Sequence, residues 1–129
     1  MKILLVDDNS LNLKQLQLIF KPYGVTFSAL DGEKALQLFE AAWEENAPFD
    51  LIVSDYLMPR MDGLELIKRL RAQEALMAPD KKVKLMMVSG VEDKSKVISS
   101  FREGCEYYLV KPVSKEKIER AFALLKLTV

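Results

Sequence analysis

Residues 51–63 read LIVSDYLMPRMDG, and this stretch decides the fold. A short run of strand type ends in a single carboxylate, Asp55, and the chain then turns through Pro59 and Gly63 into a helical pattern. This order predicts that Asp55 lies at the carboxyl end of a buried strand. In open α/β sheets ligands bind at that edge, because the loops of neighbouring strands converge there. The ends of the other strands therefore determine what surrounds Asp55.

Four further runs of strand type flank this one and alternate with helical patterns, and they cover residues 2–6, 25–30, 83–88 and 106–110. The helices are predicted to begin at residues that suit helix caps or starts, namely Asn9 or Ser10, Asp31, Gly63, Asp93 and Ser114. Right-handed crossovers between such units give a parallel sheet with helices on both faces. The fold class is therefore α/β, one domain over residues 1–129, with strand order 2-1-3-4-5 and a switch point between the first and third strands.

Apolar residues at helical spacing predict which helix faces point inward. In the fourth helix this inward set is Val97, Ile98 and Phe101, and in the fifth helix it is Ile118, Ala121, Phe122 and Leu125. In the first helix Leu11 and Leu18 lie off the main apolar face. Partial burial is the simpler interpretation of these two leucines, and docking of a partner helix is the alternative.

Composition excludes several classes of function. The chain has 19 basic and 19 acidic side chains, so it has no net charge that would favour direct nucleic-acid binding. No apolar stretch approaches the roughly 20 residues that span a bilayer, so no membrane association is expected. The lone Cys105 is expected to be a small buried residue, and the lack of a disulfide pair fits a cytoplasmic protein. The absence of histidine removes histidine triads and histidine metal clusters.

Polar groups follow four of the predicted strands, and the sheet order brings them to one edge: Asp7, Asp8, Asp55, Ser89 and Lys111. Taken singly, each has an ordinary interpretation as a helix cap, a turn former or a solvated lysine. Three carboxylates in one crevice repel one another, and Mg²⁺, which prefers oxygen ligands, resolves that repulsion. A metal, an ammonium and a hydroxyl around one Asp suit a phosphoryl group, and Asp is a competent nucleophile. The sequence therefore predicts phosphoryl transfer onto Asp55.

These motifs, in this order and over essentially the whole chain, resemble the receiver domain of two-component response regulators, in particular the stand-alone chemotaxis-regulator type. The resemblance rests on residues 6–9 (VDDN), Asp55 with Met58-Pro59 and Met61-Asp62-Gly63, Ser89-Gly90 and Lys111-Pro112. It implies a flavodoxin-like fold with five strands and five helices. It also implies a phosphorelay switch in the cytoplasm that accepts a phosphoryl group from a histidine kinase or a histidine phosphotransfer protein.

The resemblance assigns roles around the metal and the acceptor. Asp55 would be the phospho-acceptor and Asp8 a direct Mg²⁺ ligand, while Asp7 would act partly through water. The backbone carbonyl of Leu57 would be a further metal ligand. Lys111 would pair with the phosphoryl group, and the peptide bond that joins it to Pro112 is expected to be cis.

The resemblance also assigns the switch. Ser89 would move to hydrogen-bond a phosphoryl oxygen, and Tyr108 would swing inward with it. The surface of the fourth helix, fifth strand and fifth helix would then change for an unknown downstream partner. Such a protein is a switch and not an enzyme, although it catalyses its own Mg²⁺-dependent phosphorylation and slow dephosphorylation. Leu57 and Val91 stand where many receivers carry polar groups that orient a hydrolytic water, which predicts a long-lived aspartyl phosphate.

Other functions are weighed against particular residues. A haloacid dehalogenase-like phosphatase would need a second acid two residues after the nucleophile, where Leu57 stands. A flavodoxin-like cofactor carrier would need a Ser-, Thr- and Gly-rich phosphate loop where Asp7 and Asp8 stand. An interaction-only pseudo-receiver would not need the complete set of acids, lysine and hydroxyl. The chain could also be a receiver piece of a larger regulator or hybrid kinase, although Met1 directly before the first strand and a short tail at residues 127–129 favour a stand-alone receiver.

Overall fold

The computed structural model describes residues 1–127, and residues 128 and 129 of the predicted tail lie outside the described part. Its strands and helices alternate as β1 (Lys2–Val6), α1 (Ser10–Phe20), β2 (Val25–Ala29), α2 (Gly32–Glu44), β3 (Leu51–Ser54), α3 (Gly63–Met77), β4 (Lys84–Ser89), α4 (Lys94–Arg102), β5 (Tyr107–Val110) and α5 (Lys115–Leu125). A 3₁₀ turn, Lys21–Tyr23, extends α1 towards Gly24. The alternation predicted from the sequence is confirmed.

All five strands pair in parallel in the order β2-β1-β3-β4-β5, as the sequence predicted. The register between β1 and β3 pairs Val6 with Ser54. The residues after these two strands, Asp7 and Asp55, are therefore brought side by side. This edge is the carboxyl edge of the sheet, and it lies at the switch point between β1 and β3.

The helices begin where capping side chains accept backbone N–H groups, and these caps are Asn9, Asp31, Asp62, Asp93 and Ser114. Each cap satisfies one of the donors that the first turn of a helix leaves unpaired. The bounds of three strands differ from the prediction by one residue, with β4 shifted at both ends. β2 ends at Ala29 rather than at residue 30, β4 covers Lys84–Ser89, and β5 begins at Tyr107.

Two apolar layers cover the two faces of the sheet. One packs α2 and α3 against the sheet around Phe39, Leu66 and Met87. The other packs α1 and α5 around Phe20 and Ile118. Successive strand residues alternate between the two layers, which explains why the strands read as continuous apolar runs. Cys105 is buried in the first layer, as expected.

The inward face predicted for α4 is wrong for two of its three residues. Ile98 is 51% exposed and Phe101 is 45% exposed, while Val97 is half-buried. The residue of α4 that is buried is Ser100, whose hydroxyl donates to the Lys96 carbonyl 2.8 Å away. Because the Ser100 hydroxyl is hydrogen-bonded within its own helix, burying it costs little free energy. The buried contact of α4 with the domain is thus made by a small side chain.

Two other surface features bear on binding. Leu11 and Leu18 are 64% and 73% exposed, which is more than the partial burial that the simpler interpretation assumed. No helix within residues 1–127 is both long and apolar enough to cross a bilayer.

Candidate functional site

The structure brings the three predicted acids together at the switch point. Asp7 and Asp8 follow β1 and Asp55 follows β3, and each offers one carboxylate oxygen within 4.8 Å of the others. Asp7 is fully buried, Asp55 is partly buried and Asp8 is exposed. Three acids graded from the interior to solvent form a cluster that is open on one side. That is the donor set and the access that a hydrated divalent cation requires.

Asp7 is in the most constrained position of the three. Its Oδ1 accepts a hydrogen bond from the Asn9 backbone N–H at 2.9 Å, and its buried Oδ2 has no hydrogen-bond partner among the described residues. Burial raises the pKa of the Asp7 carboxyl above its ordinary value, and repulsion from Asp55 adds to this, although the Asn9 N–H opposes it. The Lys111 ammonium lies 3.6 Å from Oδ2, within ion-pair range but beyond hydrogen-bond distance. A buried carboxylate oxygen without a hydrogen-bond donor is costly, and a cation or its water could supply one.

Asp55 is held in place by its own loop. The Tyr56 backbone N–H donates to Asp55 Oδ1 at 2.7 Å, which fixes the plane of the carboxylate. The loop then returns, because the Gly63 N–H donates to the Tyr56 carbonyl at 2.7 Å. A Cβ at position 63 would lie 2.4 Å from the Asp55 carbonyl oxygen, so only glycine permits this approach. The motif that decides the fold therefore also orients the acceptor.

Lys111 reaches the same cluster from the end of β5. Its Nζ lies 3.6 Å from Asp7 Oδ2 and 3.7 Å from Asp55 Oδ2. Its backbone N–H donates to the Ser89 carbonyl at 2.9 Å, which anchors the loop to the end of β4. The bond from Lys111 to Pro112 is cis, as predicted. One ammonium thus faces two carboxylates, which leaves the cluster with net negative charge.

Ser89 and Tyr108 lie next to the cluster and share a neighbour. Ser89 is buried at the end of β4, and its hydroxyl oxygen accepts from the Val91 N–H at 3.2 Å. The partly buried Tyr108 hydroxyl donates to the Val91 carbonyl at 2.8 Å. Burial raises the pKa of Tyr108, so the hydroxyl keeps its proton at neutral pH. Both polar groups therefore bind the same short segment between β4 and α4.

Some groups in the site were not predicted from the sequence. The donors that orient Asp7 and Asp55 are the backbone N–H groups of Asn9 and Tyr56, and no side-chain pattern identifies a backbone donor. Leu57 was predicted through its carbonyl, and the structure leaves its side chain 59% exposed beside the acceptor loop. The predicted residues Asp7, Asp8, Asp55, Ser89 and Lys111 lie at the carboxyl ends of neighbouring strands, whereas Tyr108 lies within β5.

A parallel sheet with three clustered acids and one lysine at its switch point defines a class of α/β proteins that handle a divalent cation and an anionic phosphoryl group. Comparison with known families specifies the class. The response regulator receiver domain matches residues 3–123. The chain belongs to the family of response regulator receiver domains.

Individual relatives agree with this assignment. The chain is 34% identical to the chemotaxis protein CheY of Pseudomonas aeruginosa over 128 residues, which cover 95% of this chain and 96% of that protein. It is 31% identical to the two-component response regulator ORR11 of Oryza sativa over 122 residues, or 94% of this chain and 78% of that protein. It is therefore a CheY-like receiver domain of two-component signalling.

Solved structures share the fold. CheY in the CheX–CheY–BeF3–Mg complex from Borrelia burgdorferi matches with a TM-score of 0.80 and 25% identity, over 99% of this chain and 90% of that chain. A putative response regulator from Chloroflexus aurantiacus matches with a TM-score of 0.77 and 30% identity, over 97% of each chain. Receiver domains bind Mg²⁺ at an acidic pocket, and the Asp7, Asp8 and Asp55 cluster forms such a pocket here.

Proposed function

We propose that this protein is a phospho-accepting switch in which Asp55 takes a phosphoryl group from a histidine kinase or a histidine phosphotransfer protein. The observation that carries the proposal is the position of Lys111, whose Nζ lies within 3.7 Å of both Asp7 and Asp55 at the edge of the acidic cluster. An ammonium there offsets the charge of an arriving phosphoryl group. Asp55 alone would repel that group.

The transfer is a substitution at phosphorus. A carboxylate oxygen of Asp55 forms the new P–O bond, the P–N bond to the donor histidine breaks, and the imidazole leaves with the bonding electron pair. The Tyr56 N–H holds Asp55 Oδ1 and fixes the direction of attack, while Lys111 stabilises the charge on the transferring oxygens. Ser89 supplies a hydroxyl for a phosphoryl oxygen after the transfer.

Four groups are proposed to hold Mg²⁺. Asp8 and Asp55 would be direct ligands, the Leu57 carbonyl would be a further ligand, and Asp7 would act partly through water. The unpartnered Asp7 Oδ2 supports this assignment, because water on a cation is a donor that it would otherwise lack. When bound, the cation neutralises the acids and the phosphoryl oxygens.

A groove beside α1 suits the phosphoryl donor. It has a volume of 580 Å³, and its walls include Leu16, Leu18 and Ile19 of α1 together with Lys111 and Pro112 of the loop after β5. The exposed Leu18 thus lines the same groove as Lys111 of the site. An amphipathic helix of the donor would lay its apolar face in such a groove and present its phosphohistidine to Asp55.

The proposed output is a change in the surface formed by α4, β5 and α5. Ser89 and Tyr108 both bind the segment that contains Val91, so withdrawal of the Ser89 hydroxyl towards a phosphoryl group alters the link between β4 and α4. Moving such an equilibrium from mostly off to mostly on requires about 5 kcal/mol, which exceeds one charge-assisted hydrogen bond. Lys111, Ser89 and Tyr108 are therefore expected to act together, and the exposed Ile98 and Phe101 form part of the partner surface.

The proposed aspartyl phosphate is long-lived. Leu57 and Val91 offer no polar side chain to orient a hydrolytic water at the acceptor. We expect the phosphate on the purified protein to persist for longer than minutes, and Leu57→Asn to shorten its lifetime. Decay curves from intact mass spectra measure both lifetimes, and rapid loss from the unaltered protein would contradict the proposal.

The direct test is phosphorylation by a small donor. The protein is incubated with acetyl phosphate or phosphoramidate, with and without Mg²⁺, and the adduct is followed by intact mass. One phosphoryl group is expected with Mg²⁺, none on Asp55→Asn, and slower uptake by Lys111→Ala. Asp80→Asn, a change of the same type at an exposed position, is the control and should behave as the unaltered protein. An adduct that survives Asp55→Asn would place the nucleophile elsewhere.

A further inference from the structure

Lys117 lies in the first turn of α5, at a position where a lysine is unfavourable on general grounds. Ser114 caps the helix through its side chain, which accepts from the Lys117 N–H at 3.2 Å. After a Ser cap the third helical residue is commonly Glu or Gln, whose side chain reaches back to the cap. A cation in the first turn also opposes the helix dipole. Another interaction must therefore explain why a lysine is tolerated here.

The ammonium of Lys117 binds the backbone on both sides of Lys111. Lys117 Nζ donates to the Val110 carbonyl at 3.1 Å and to the Pro112 carbonyl at 2.8 Å. These two carbonyls belong to the residues immediately before and after Lys111. The Lys111 N–H is itself bound to the Ser89 carbonyl. The backbone of Lys111 is thus held from two directions, by β4 and by the side chain of Lys117.

We infer that Lys117 is a positioning residue for Lys111. The Lys117 ammonium holds the loop that contains Lys111, and this loop directs the Lys111 ammonium towards Asp7 and Asp55. Anchoring the Val110 and Pro112 carbonyls restrains the path of the backbone through Lys111, and with it the position of the Lys111 Cα–Cβ bond. A four-carbon side chain magnifies a small rotation at its root into a larger displacement of Nζ. The inference rests on the proposed function, because it assigns the support of Lys111 in that same site.

Lys117→Met is the informative variant. Methionine keeps an unbranched chain and a good helix propensity but has no donor. If Lys111 loses its aim, uptake from phosphoramidate at saturating Mg²⁺ should slow by roughly tenfold, since small misplacements of a catalytic group cost that much or more. Lys117→Arg, which retains donors for both carbonyls, should recover part of the rate. Lys115→Met is the control, because the Lys115 side chain is exposed and pairs with Glu119, and this change should leave the rate unaltered.

Mg²⁺ affinity distinguishes positioning from a merely structural role. Lys111 Nζ lies close to two acids of the cluster and so opposes a second cation there. A displaced Lys111 should let Mg²⁺ bind roughly two- to fivefold more tightly, as expected for removing one nearby charge in a solvated site. Loss of structure would instead weaken Mg²⁺ binding and lower the melting temperature.

The experiment therefore measures Mg²⁺ dissociation constants by calorimetric titration, and uptake rates by intact mass, for Lys117→Met, Lys111→Ala and the double variant. The double variant should bind Mg²⁺ no more tightly than Lys111→Ala, because Lys117 acts through Lys111. Unchanged or weaker Mg²⁺ binding by Lys117→Met overturns the inference. So does an equal gain in Mg²⁺ affinity when Lys117→Met is added to Lys111→Ala. Failure of the unaltered protein to take up phosphate would overturn the proposed function, while the Mg²⁺ titrations would still test Lys117.

Discussion

Asp7 is a fully buried carboxylate at the edge of the sheet. Its Oδ2 has no hydrogen-bond partner within residues 1–127, and burial raises its pKa. The desolvation of the charged form outweighs its attraction to Lys111 Nζ 3.6 Å away, so the charged form is unfavourable in the folded protein unless a bound cation adds a further partner. The same feature that prepares the site for Mg²⁺ makes the metal-free protein less stable.

Asp7→Asn is expected to raise the free energy of unfolding of the metal-free protein, by on the order of 1 kcal/mol. The pKa of Asp7 in the folded protein lies above its ordinary value of 3.8. The contribution of Asp7 to stability is therefore full below pH 3.8 and is lost as the pH rises through the folded-state pKa. The advantage of the variant should thus appear at neutral pH and vanish in acid. Urea unfolding in EDTA at several pH values measures this, with exposed Asp80→Asn as the control.

Added Mg²⁺ should reverse the order of stability. The unaltered protein gains free energy with metal concentration because the cation binds the folded state, and Asp7→Asn should gain less. Equal gains in both proteins would show that Asp7 takes no part in holding the metal.

Cys105 illustrates the opposite case, a titratable group that burial makes inert. It is 4% exposed, and burial raises its pKa to about 11, so the reactive thiolate is scarce at neutral pH. We expect the native protein to resist iodoacetamide at neutral pH and the urea-unfolded protein to react at once, as seen by intact mass. Fast labelling of the native protein would mean that the layer around Cys105 opens readily.

At the scale of elements, α4 and α5 differ in how firmly they are packed. Both were predicted from apolar residues at helical spacing. In α5 the predicted residues are buried, whereas in α4 Ile98 and Phe101 are largely exposed. Spacing identifies an apolar stripe but not what covers it. The α4 stripe belongs to the proposed partner surface, and the sequence pattern alone does not separate such a stripe from one that faces the core.

The matched pair Ile98→Ala and Ile118→Ala tests the difference in packing between α4 and α5. The same substitution is made in two helices that flank the same sheet. Ile98 is 51% exposed, so its loss should change the free energy of unfolding by less than about 0.5 kcal/mol. Ile118 is fully buried, so its loss should cost about 2–5 kcal/mol. Urea midpoints measure both values. Similar costs for the two would show that Ile98 is covered in solution.

The site was more predictable than the faces of the helices. Side chains that directly follow parallel strands must meet at one edge, so Asp7, Asp55 and Lys111 could be placed from strand ends and strand order alone. The backbone N–H of Tyr56 was not predictable, because every residue carries such a donor. Lys117 left only a weak indication, a lysine where a helix start favours an acid. Its carbonyl partners depend on the path of a loop that local pattern does not specify.

For the whole molecule, the distribution of buried side chains sets the distribution of stability. α5 buries four residues, namely Ile118, Ala121, Phe122 and Leu125. α4 buries only Ser100 within the described chain. Elements with few buried contacts open locally at lower free energy than the whole domain. Of the two helices in the proposed output surface, α4 is thus the one that the fold holds less firmly.

Amide hydrogen exchange measures the free energies at which α4 and α5 open locally. Amides in the interior of α4 should exchange at least roughly tenfold faster than those in the interior of α5, since each 1.4 kcal/mol of opening free energy is a factor of ten. A bound beryllofluoride and Mg²⁺ pair, as a mimic of the phosphoryl group, should alter protection in α4 more than in α5, because Ser89 and Tyr108 both bind the segment that leads into α4. Lys111→Ala serves as the comparison, since weaker anion binding should reduce the change. If α4 were as protected as α5 in the free protein, its exposed stripe would be covered, and the output surface would have to lie elsewhere.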